Sequence, residues 1–460
     1  MEYVVRRITF GQKHHLFGFH DLVQTNVKGD LALSLEVDDI SHPPLPGETC
    51  MSGIVPAMGG AFVPIHTTHT WNYPQGARQQ WIDDEDLFSC NDRDDKGKFF
   101  AWVSSAKEGK PVDRFPFPVH CFDKINRISF WQNYDRLNMV GGYGYMPNLH
   151  ISPDKTLLED IPNTDGIWAG NVVTGEIELL VSICEVAKCG EKKPIRTGYP
   201  HYVTHCMLNP SNTRIAFLHR YRLADGGETT RLMTIGTDGS GLRCLAKGFL
   251  SHFTWISDNE LFIWGAHQPK LFAMREGAWL RVPGASTFVG AAKKMIKYIR
   301  KGVLDSRAAH NYKDSPQPMS FMVINDFDEC RIHKVAIGVL VEDGHPMACP
   351  RNRKILVNDT YPNELGYRTL MVYDLGKNER KDIGCFRMLD AHPDSTRFDV
   401  NLARSGVDGR VLKMLSSEQH MFTRSGFHCD LHPRWSCDGK TAFFDSIHEG
   451  SRQIYAVKVF

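Results

Sequence analysis

The sequence predicts an all-β fold, a seven-bladed β-propeller that occupies residues 1–460 as one domain. Short strand-like segments dominate the chain, and each follows a turn rich in Asp, Asn, Gly or Lys. Units of about 40–50 residues recur, a period typical of propeller blades. In addition, the last unit lacks a strand, whereas the N-terminal segment "YVVRRITF" is a strand without a unit of its own.

The strand segments recur along the whole chain. They include "GDLALSLEV", "DLFSCND", "RISFW", "RIAFLHRY", "NELFIWG", "RKILVND" and "KTAFFDS". Many continue into a hairpin, as at Asp238-Gly239. Seven turn-plus-strand units begin near Phe19, Trp71, Val119, His205, His252, His345 and His432. We therefore expect seven blades, with the N-terminal strand completing the last blade and closing the ring, which removes two exposed sheet edges.

Three insertions interrupt this repeat. One follows Arg136 and reads "NMVGGYGYMPNLHISPDK", and another extends from Met388 to Ser425. The third, "GAAKKMIKYIRKGVLDS", has apolar residues at helical spacing. We expect it to form one inserted helix near residues 291–304.

Composition and charge exclude several classes of protein. The chain has 54 basic and 53 acidic side chains and a net charge of +1, without the basic excess of a nucleic-acid-binding protein. The N-terminus does not resemble a signal peptide, and no segment approaches the roughly 20 apolar residues of a membrane span. The twelve cysteines are scattered without a CxxC pair, which indicates free thiols. We expect a cytoplasmic protein that binds neither nucleic acid nor a membrane.

Four histidines share one position in consecutive units. His205, His252, His345 and His432 each lie four residues before the same point of a turn, at Asn209, Ile256, Cys349 and Ser436. Because the innermost strands of a propeller line its central channel, equal offsets predict four imidazoles at one level, facing inward. The first three units place His20-Asp21, Gln79-Gln80 and His120 there, displaced by one to three positions.

A single histidine at the start of a strand is usually a structural hydrogen-bonding residue. Four imidazoles that face one channel, however, would repel each other if protonated and would lose solvation if buried without partners. A metal ion or an anionic substrate would relieve both costs. Neutral imidazole suits Mn, Fe, Zn, Ni or Cu better than Ca or Mg.

Other polar and aromatic residues are expected near the same end of the channel. Aromatic rings that stack on sugars and arginines that bind carboxylates are typical of a cleft for acidic saccharides. Taken singly, each such residue more often packs between blades. The candidate substrate-binding residues are Trp71, Gln75, Arg93, Tyr361, Arg434 and Arg452.

Four segments resemble the oligogalacturonate lyase family, whose members are cytoplasmic seven-bladed propellers related to TolB-type repeats. They are "HYVTHCMLNPSNTRIAFLHRY", "SHFTWISDNELFIW", "DGHPMACPRNRKILVNDTYP" and "DLHPRWSCDGKTAFFDS". The resemblance extends from about Tyr199 to the C-terminus. The N-terminal part, with "GFHDLVQTNVKGDLALSLEV", is more similar to the uncharacterised branch of the family than to the lyases proper.

The resemblance implies a manganese ion held by histidines and a glutamine, with a histidine base and an arginine nearby. By position, His252 matches the base, Arg220 is the arginine, and His205 joins them in the catalytic group. His345 and His432 match metal ligands. The lyases carry a Gln-x-x-His-x-His pattern where this chain has His428-x-Asp430-x-His432. His428 or Asp430 must then replace the missing ligand, or the metal is different or absent.

The function expected from these residues is metal-assisted β-elimination on a uronate-containing oligosaccharide. A cation and an arginine on the carboxylate stabilise the charge that develops when a neutral histidine removes the adjacent proton. Two alternatives remain open. One is a propeller that binds a glycan or a protein without catalysis. The other is a glycoside hydrolase, which needs two carboxylates about 5–10 Å apart, with Asp359, Asp430 and Asp445 as candidates.

Overall fold

The computed structural model describes residues 3–84, 86–140, 142–146, 155–223, 227–276, 319–327, 329–394 and 417–460. Within these residues the chain forms six antiparallel β-sheets and a few short helices, so the all-β prediction is confirmed. The helix expected near residues 291–304 lies outside them, as does much of the expected insertion from Met388 to Ser425.

Successive sheets follow the order of the chain. The first contains β2 (His14–Leu16), β3 (Leu31–Val37), β4 (Cys50–Pro56) and β5 (Val63–Thr68); the second contains β6 (Gln80–Trp81), β7 (Leu87–Arg93), β8 (Phe99–Ser105) and β9 (Lys110–Phe115); the third contains β10 (Cys121–Asp123), β11 (Ile128–Gln132), β12 (Gly166–Asn171) and β13 (Ile177–Ser182). The fourth contains β14 (Tyr202–Leu208), β15 (Arg214–Arg222), β16 (Glu228–Gly236), β17 (Arg243–Trp255), β18 (Glu260–His267), β19 (Ser320–Asn325) and β20 (Ile332–Lys334). The fifth contains β21 (Met347–Ala348), β22 (Ile355–Asn358), β23 (Tyr367–Asp374) and β24 (Glu379–Arg387), and the sixth contains β25 (Arg434–Trp435), β26 (Thr441–Ser446), β27 (Gln453–Lys458) and β1 (Val5–Arg7).

The seven-stranded sheet has one strand that belongs to two units. The first part of β17 pairs with β16, and from Gly248 onward it pairs with β18. This sheet therefore contains two consecutive four-stranded units that share β17. In the sixth sheet the N-terminal β1 pairs antiparallel with the C-terminal β27, with Val5 opposite Val457.

The turn after each innermost strand sets the register on which the histidine alignment depends. The Asn209 side-chain oxygen accepts hydrogen bonds from the backbone N–H groups of Thr213 and Arg214, at 2.8 and 3.0 Å. At the equivalent turn of the last unit, Ser436 Oγ accepts from Thr441 N at 3.0 Å. These local bonds join β14 to β15 and β25 to β26 in a defined register.

Tryptophans tie three of the innermost strands to the unit before them. The indole N–H of Trp81 donates to Gln24 O, that of Trp255 to Met207 O, and that of Trp435 to Met347 O, each at 3.0 Å. The apolar side chains of neighbouring sheets fill the space between them. One such cluster joins the fifth and sixth sheets through Met347, Cys349, Val357, Leu370, Trp435, Phe444 and Tyr455.

The helices are short, and two of them lie between strands of one sheet while two connect sheets. They are α1 (Tyr134–Val140), α2 (Ile183–Lys188), α3 (Pro269–Arg275) and α4 (Glu418–Arg424), with a 3₁₀ turn at Lys155–Leu158. Among the described residues no helix has the length and apolar character needed to span a bilayer. The twelve cysteines are free thiols, as their spacing predicts.

Candidate metal centre

Five imidazoles surround the buried ring of Phe19. From its centroid the distances are 4.2 Å to His20, 4.8 Å to His205, 6.2 Å to His252, 6.4 Å to His345 and 5.1 Å to His432. The His345 ring is 4.2 Å from the His252 ring and 4.4 Å from the His432 ring. The structure therefore brings together the four histidines that share a turn offset. His20 joins them from the loop after β2.

Backbone irregularities turn some of these side chains toward the cluster. The pairing register shifts around His205 in β14 and around His252 in β17, and such bulges redirect the side chains of a strand. His205 and His432 have positive φ angles, 61° and 41°. A left-handed conformation at a residue other than glycine costs about 1–3 kcal/mol. The surrounding sheets thus hold these imidazoles in place against their local preference.

Asp359 orients His345. Its Oδ1 accepts hydrogen bonds from both the backbone N and Nδ1 of His345, each at 2.8 Å. Its Oδ2 accepts from the backbone N of His432 at 3.2 Å, and its side chain is fully buried. Because Nδ1 of His345 carries the proton, Nε2 keeps its lone pair. A carboxylate that fixes a histidine in this way is typical of metal-binding histidines.

Two backbone carbonyls fix the tautomers of two further histidines. His432 Nδ1 donates to Gly18 O at 2.8 Å, and His20 Nδ1 donates to Pro346 O at 2.9 Å. A carbonyl oxygen only accepts hydrogen bonds, so both Nδ1 atoms are protonated and both Nε2 atoms keep a lone pair. Nε2 of His20 is buried and has no hydrogen-bond partner.

His252 forms a pair with Asp343. Its Nδ1 lies 3.2 Å from Asp343 Oδ1 and 3.1 Å from Ser251 Oγ. The Asp343 carboxylate also accepts from the backbone N of Gly344 at 2.9 Å, which holds it in place. A histidine whose Nδ1 is bound to a carboxylate presents Nε2 as a base.

His345, Asp430 and His432 form a candidate metal-binding set. One ligand atom from each lies within 4.8 Å of the others, and all three residues are buried. Arg368 Nη1 is 2.7 Å from Asp430 Oδ1, and His428 Nε2 is 3.0 Å from Asp430 Oδ2. Of the two residues that the sequence leaves open for the missing ligand, the geometry favours Asp430. His428 lies beside it, outside this set.

The pKa values of these groups follow from burial and from their neighbours. Burial, reinforced by the other histidines, holds the pKa values of His20 and His432 well below the usual range. Burial and then His345 lower the pKa of His252, although Asp343 opposes this effect. At His345 burial is outweighed by the nearby carboxylates, Asp359 first, and its pKa is raised. Burial raises the pKa of Asp430, but His428 and Arg368 more than compensate, so it stays well below its usual value.

Comparisons with known proteins place the fold. No family model matches this sequence, and no curated protein matches it. The chain is similar to the solved structure of an oligogalacturonate lyase in complex with manganese, with a TM-score of 0.53 and 11% identity over 100% of this chain and 97% of that one. It is also similar to oligogalacturonate lyase from Vibrio parahaemolyticus, with a TM-score of 0.51 and 11% identity over 100% of this chain and 98% of that one. At this identity the likeness shows the fold alone.

The chain is a β-propeller. The residues present in its candidate metal centre fit a divalent transition metal. Two neutral imidazoles and one carboxylate are a common donor set for such ions, and hydrogen bonds to Nδ1 leave both Nε2 lone pairs available.

Arg220 and Tyr361 lie near different histidines of the cluster. After burial itself, Arg220 is the largest cause that lowers the pKa of His205, and its Nη1 is 3.9 Å from Glu228 Oε1. The Tyr361 ring lies 5.5 Å from the His345 ring and beneath the Arg368 guanidinium, also at 5.5 Å. Both residues that the sequence proposes for the site therefore adjoin its histidines.

The side chains of Arg434 and Arg452 are buried. Both form ion pairs with the fully buried Asp445, at 2.5 and 3.3 Å. Arg434 also donates to His432 O, and Arg452 donates to Tyr73 O. Their exposed fractions are 0% and 1%, so in this structure neither faces solvent as a substrate-binding arginine would.

The three candidates from the second unit are also buried. Trp71 donates to Glu48 O and packs in an apolar cluster, while Arg93 pairs with Asp135 at 2.8 Å. Gln75 is 1% exposed, and both polar atoms of its side-chain amide lack hydrogen-bond partners. The structure gives Trp71 and Arg93 packing contacts, whereas Gln75 retains an unused amide.

The loop from Gly18 to Asp21 carries the histidine of the first unit, which the turn register places only approximately. Gly18 has φ of +137°, and a Cβ there would lie 2.6 Å from Gln75 O. Asp21 pairs with buried Arg78 through two bonds of 2.8 Å. The segment "GFHD" offers a weak sequence signal, namely a glycine beside a histidine and an acid.

Proposed function

We propose that this propeller acts on an acidic, uronate-containing oligosaccharide by metal-assisted β-elimination, with manganese as the metal. The observation that carries the proposal is the position of the His252–Asp343 pair beside the candidate metal-binding set, with the His252 and His345 ring centroids 4.2 Å apart. A base and a cation site in contact are what proton removal next to a carboxylate requires. The shared fold with a lyase in complex with manganese supports this assignment.

A divalent cation, when bound, supplies positive charge to the uronate carboxylate while negative charge develops there. His345, His432 and Asp430 would hold that cation, and Asp359 keeps Nε2 of His345 free for it. His252 removes the proton next to the carboxylate at Nε2, since Nδ1 is bound to Asp343. The electron pair of the broken C–H bond forms a carbon–carbon double bond. The glycosidic oxygen departs with the electron pair of the C–O bond and takes up a proton from water.

The substrate is expected to enter on the side of His252 and Arg220. The exposed fractions of these side chains are 10% and 18%, against 1% for His345 and 2% for His432. A guanidinium at this side can bind a carboxylate of the incoming saccharide. The metal-binding residues would then lie on the more buried side of the substrate.

The hydrolase alternative finds little support. Asp359 and Asp445 are fully buried, the first on His345 and His432 and the second between two arginines. Asp430 is held by Arg368. None of these carboxylates is placed to activate water at a sugar. Binding without catalysis remains the competing function, and it is decided by whether turnover occurs.

The proposal includes a closed ring of seven blades that forms one domain over residues 1–460. Counting the shared strand β17 twice converts the six sheets into seven units. Contacts between the last sheet and the first support closure: Arg434 Nε donates to Gln24 Oε1 at 2.8 Å, and Cys437 N donates to Thr25 Oγ1 at 3.0 Å. Such a ring would centre the histidine cluster on its channel.

The test is ultraviolet absorbance with oligogalacturonates, because elimination creates a conjugated unsaturated uronate. We expect the absorbance to rise with manganese-loaded protein. The rate of this rise should be at least about a hundredfold lower in His252→Asn. Asparagine keeps a donor toward Asp343 and removes Nε2. The control is His66→Asn, another buried histidine, bonded to Ser104 at 3.1 Å. No rise with any uronate oligosaccharide would reject the elimination, and saturable binding without a rise would establish the binding alternative.

A further inference from the structure

The N-terminal loop brings His20 into the candidate metal centre, although the sequence places this histidine outside the offset that the other four share. His20 is fully buried, and its ring centroid is 5.5 Å from that of His345 and 6.2 Å from that of His432. With a metal–nitrogen bond of about 2.1 Å, the centroids of two imidazoles on one ion lie roughly 4.5–6.5 Å apart. His345 and His432 themselves are 4.4 Å apart, just below this range.

Nε2 of His20 has a lone pair that accepts no hydrogen bond. Because Nδ1 donates its proton to Pro346 O, Nε2 can only accept. The neighbouring imidazoles offer no proton to it: the Nδ1 protons of His345, His432 and His252 go to Asp359, Gly18 and Asp343. Buried acceptors without a donor are uncommon in folded proteins, and a cation is a partner that would take this lone pair.

The loop that carries His20 is fixed on both sides. Asp21 is held by the two bonds to Arg78, and the preceding Gly18 accepts from His432. The Phe17 backbone N–H also donates to Asp445 Oδ2 at 3.3 Å. A ligand on this loop would bind without the cost of ordering a mobile segment.

We propose that Nε2 of His20 is a further protein ligand of the cation held by His345, Asp430 and His432. This inference rests on the metal centre of the proposed function. It gives the centre three imidazoles and one carboxylate, and it makes the N-terminal loop part of the metal site. His252 keeps its role as the base, since its side chain is the more exposed one.

Two substitutions separate the ligand role of His20 from its role in packing. His20→Asn retains an N–H donor for Pro346 but removes Nε2. His20→Gln places an amide near the position of Nε2, so it offers an oxygen instead of a nitrogen. His66→Asn is the matched control, because His66 is also buried with one bonded nitrogen and an unpartnered Nε2.

The first readout is manganese affinity of the metal-stripped protein by calorimetry. The second is the number of imidazole nitrogens coupled to bound Cu²⁺ by pulsed EPR. We expect His20→Asn to weaken manganese binding by about tenfold or more and both His20 variants to lose one coupled imidazole, while His66→Asn changes neither. If His20→Asn does not fold, the nitrogen count in His20→Gln decides. Wild-type affinity and an unchanged count would overturn this inference alone, whereas a wild-type protein that binds no metal would overturn the proposed function as well.

Discussion

Replacing Asp359 by asparagine should weaken metal binding without dismantling the propeller. Asparagine keeps one oxygen for the two N–H groups of His345, but its amide group then faces the backbone N–H of His432, where Oδ2 now accepts at 3.2 Å. Loss of one hydrogen bond to a charged group costs about 1.5–3 kcal/mol of folding free energy. Loss of the carboxylate that orients a metal-binding histidine typically lowers metal affinity by about ten- to a hundredfold.

The assay is calorimetric titration of metal-stripped protein with manganese, paired with urea unfolding in the absence of metal. Asp326→Asn is the matched control: Asp326 is 3% exposed and accepts from Arg214 Nε and Thr234 Oγ1, each at 2.7 Å, within the fourth sheet. Both variants should lose stability, but only Asp359→Asn should lose affinity. Equal manganese affinity in Asp359→Asn and the wild type would refute the reasoning, as would an equal loss in both variants.

Three further predictions concern stability. Burial holds the pKa values of His20, His205 and His432 well below that of a free imidazole, so below about pH 6.5 the unfolded chain binds more protons than the folded one. Each of these histidines should therefore lower the free energy of unfolding of the metal-free protein by about 1.4 kcal/mol per pH unit on acidification. A urea midpoint that is constant from pH 7 to pH 5 would contradict this. Arg368→Met leaves Asp430 without its 2.7 Å partner and should lower the free energy of unfolding by about 3–5 kcal/mol. Manganese should then raise the melting temperature of this variant more than that of the wild type, and an equal or smaller rise would count against Asp430 as a ligand. Gly18→Ala places Cβ 2.6 Å from Gln75 O at φ of +137° and should cost at least about 1–3 kcal/mol, whereas Gly29→Ala, with open space at its Cβ, should cost less; equal urea midpoints would show that the loop relaxes freely.

The convergence of the four histidines follows from a periodic signal. A turn of fixed length sets the height of each innermost strand, so His205, His252, His345 and His432 are found by counting back from the turns. Counting from the turns does not show in which direction each histidine side chain points. The bulges at His205 and His252 and the positive φ angles of His205 and His432 arise from packing between sheets. His20 is displaced from the common offset because a loop carries it instead of a strand.

The predicted substrate-binding arginines show a second limit of what the sequence can predict. In a strand buried on both faces, an arginine near the channel and an arginine between sheets have the same pattern of neighbours. Arg434 and Arg452 are of the second kind, since Asp445 lies between their guanidinium groups. Arg368 was missed for the same reason, although it is the arginine in contact with Asp430. Only the positions of the acidic partners separate these cases, and those positions depend on distant parts of the chain.

The most direct test of the metal centre is anomalous diffraction from crystals soaked in manganese chloride, collected above the manganese absorption edge. We expect one strong anomalous peak between Nε2 of His345, Nε2 of His432 and the Asp430 carboxylate. An empty centre at saturating manganese, or a peak bound only by residues elsewhere on the propeller, would contradict the account.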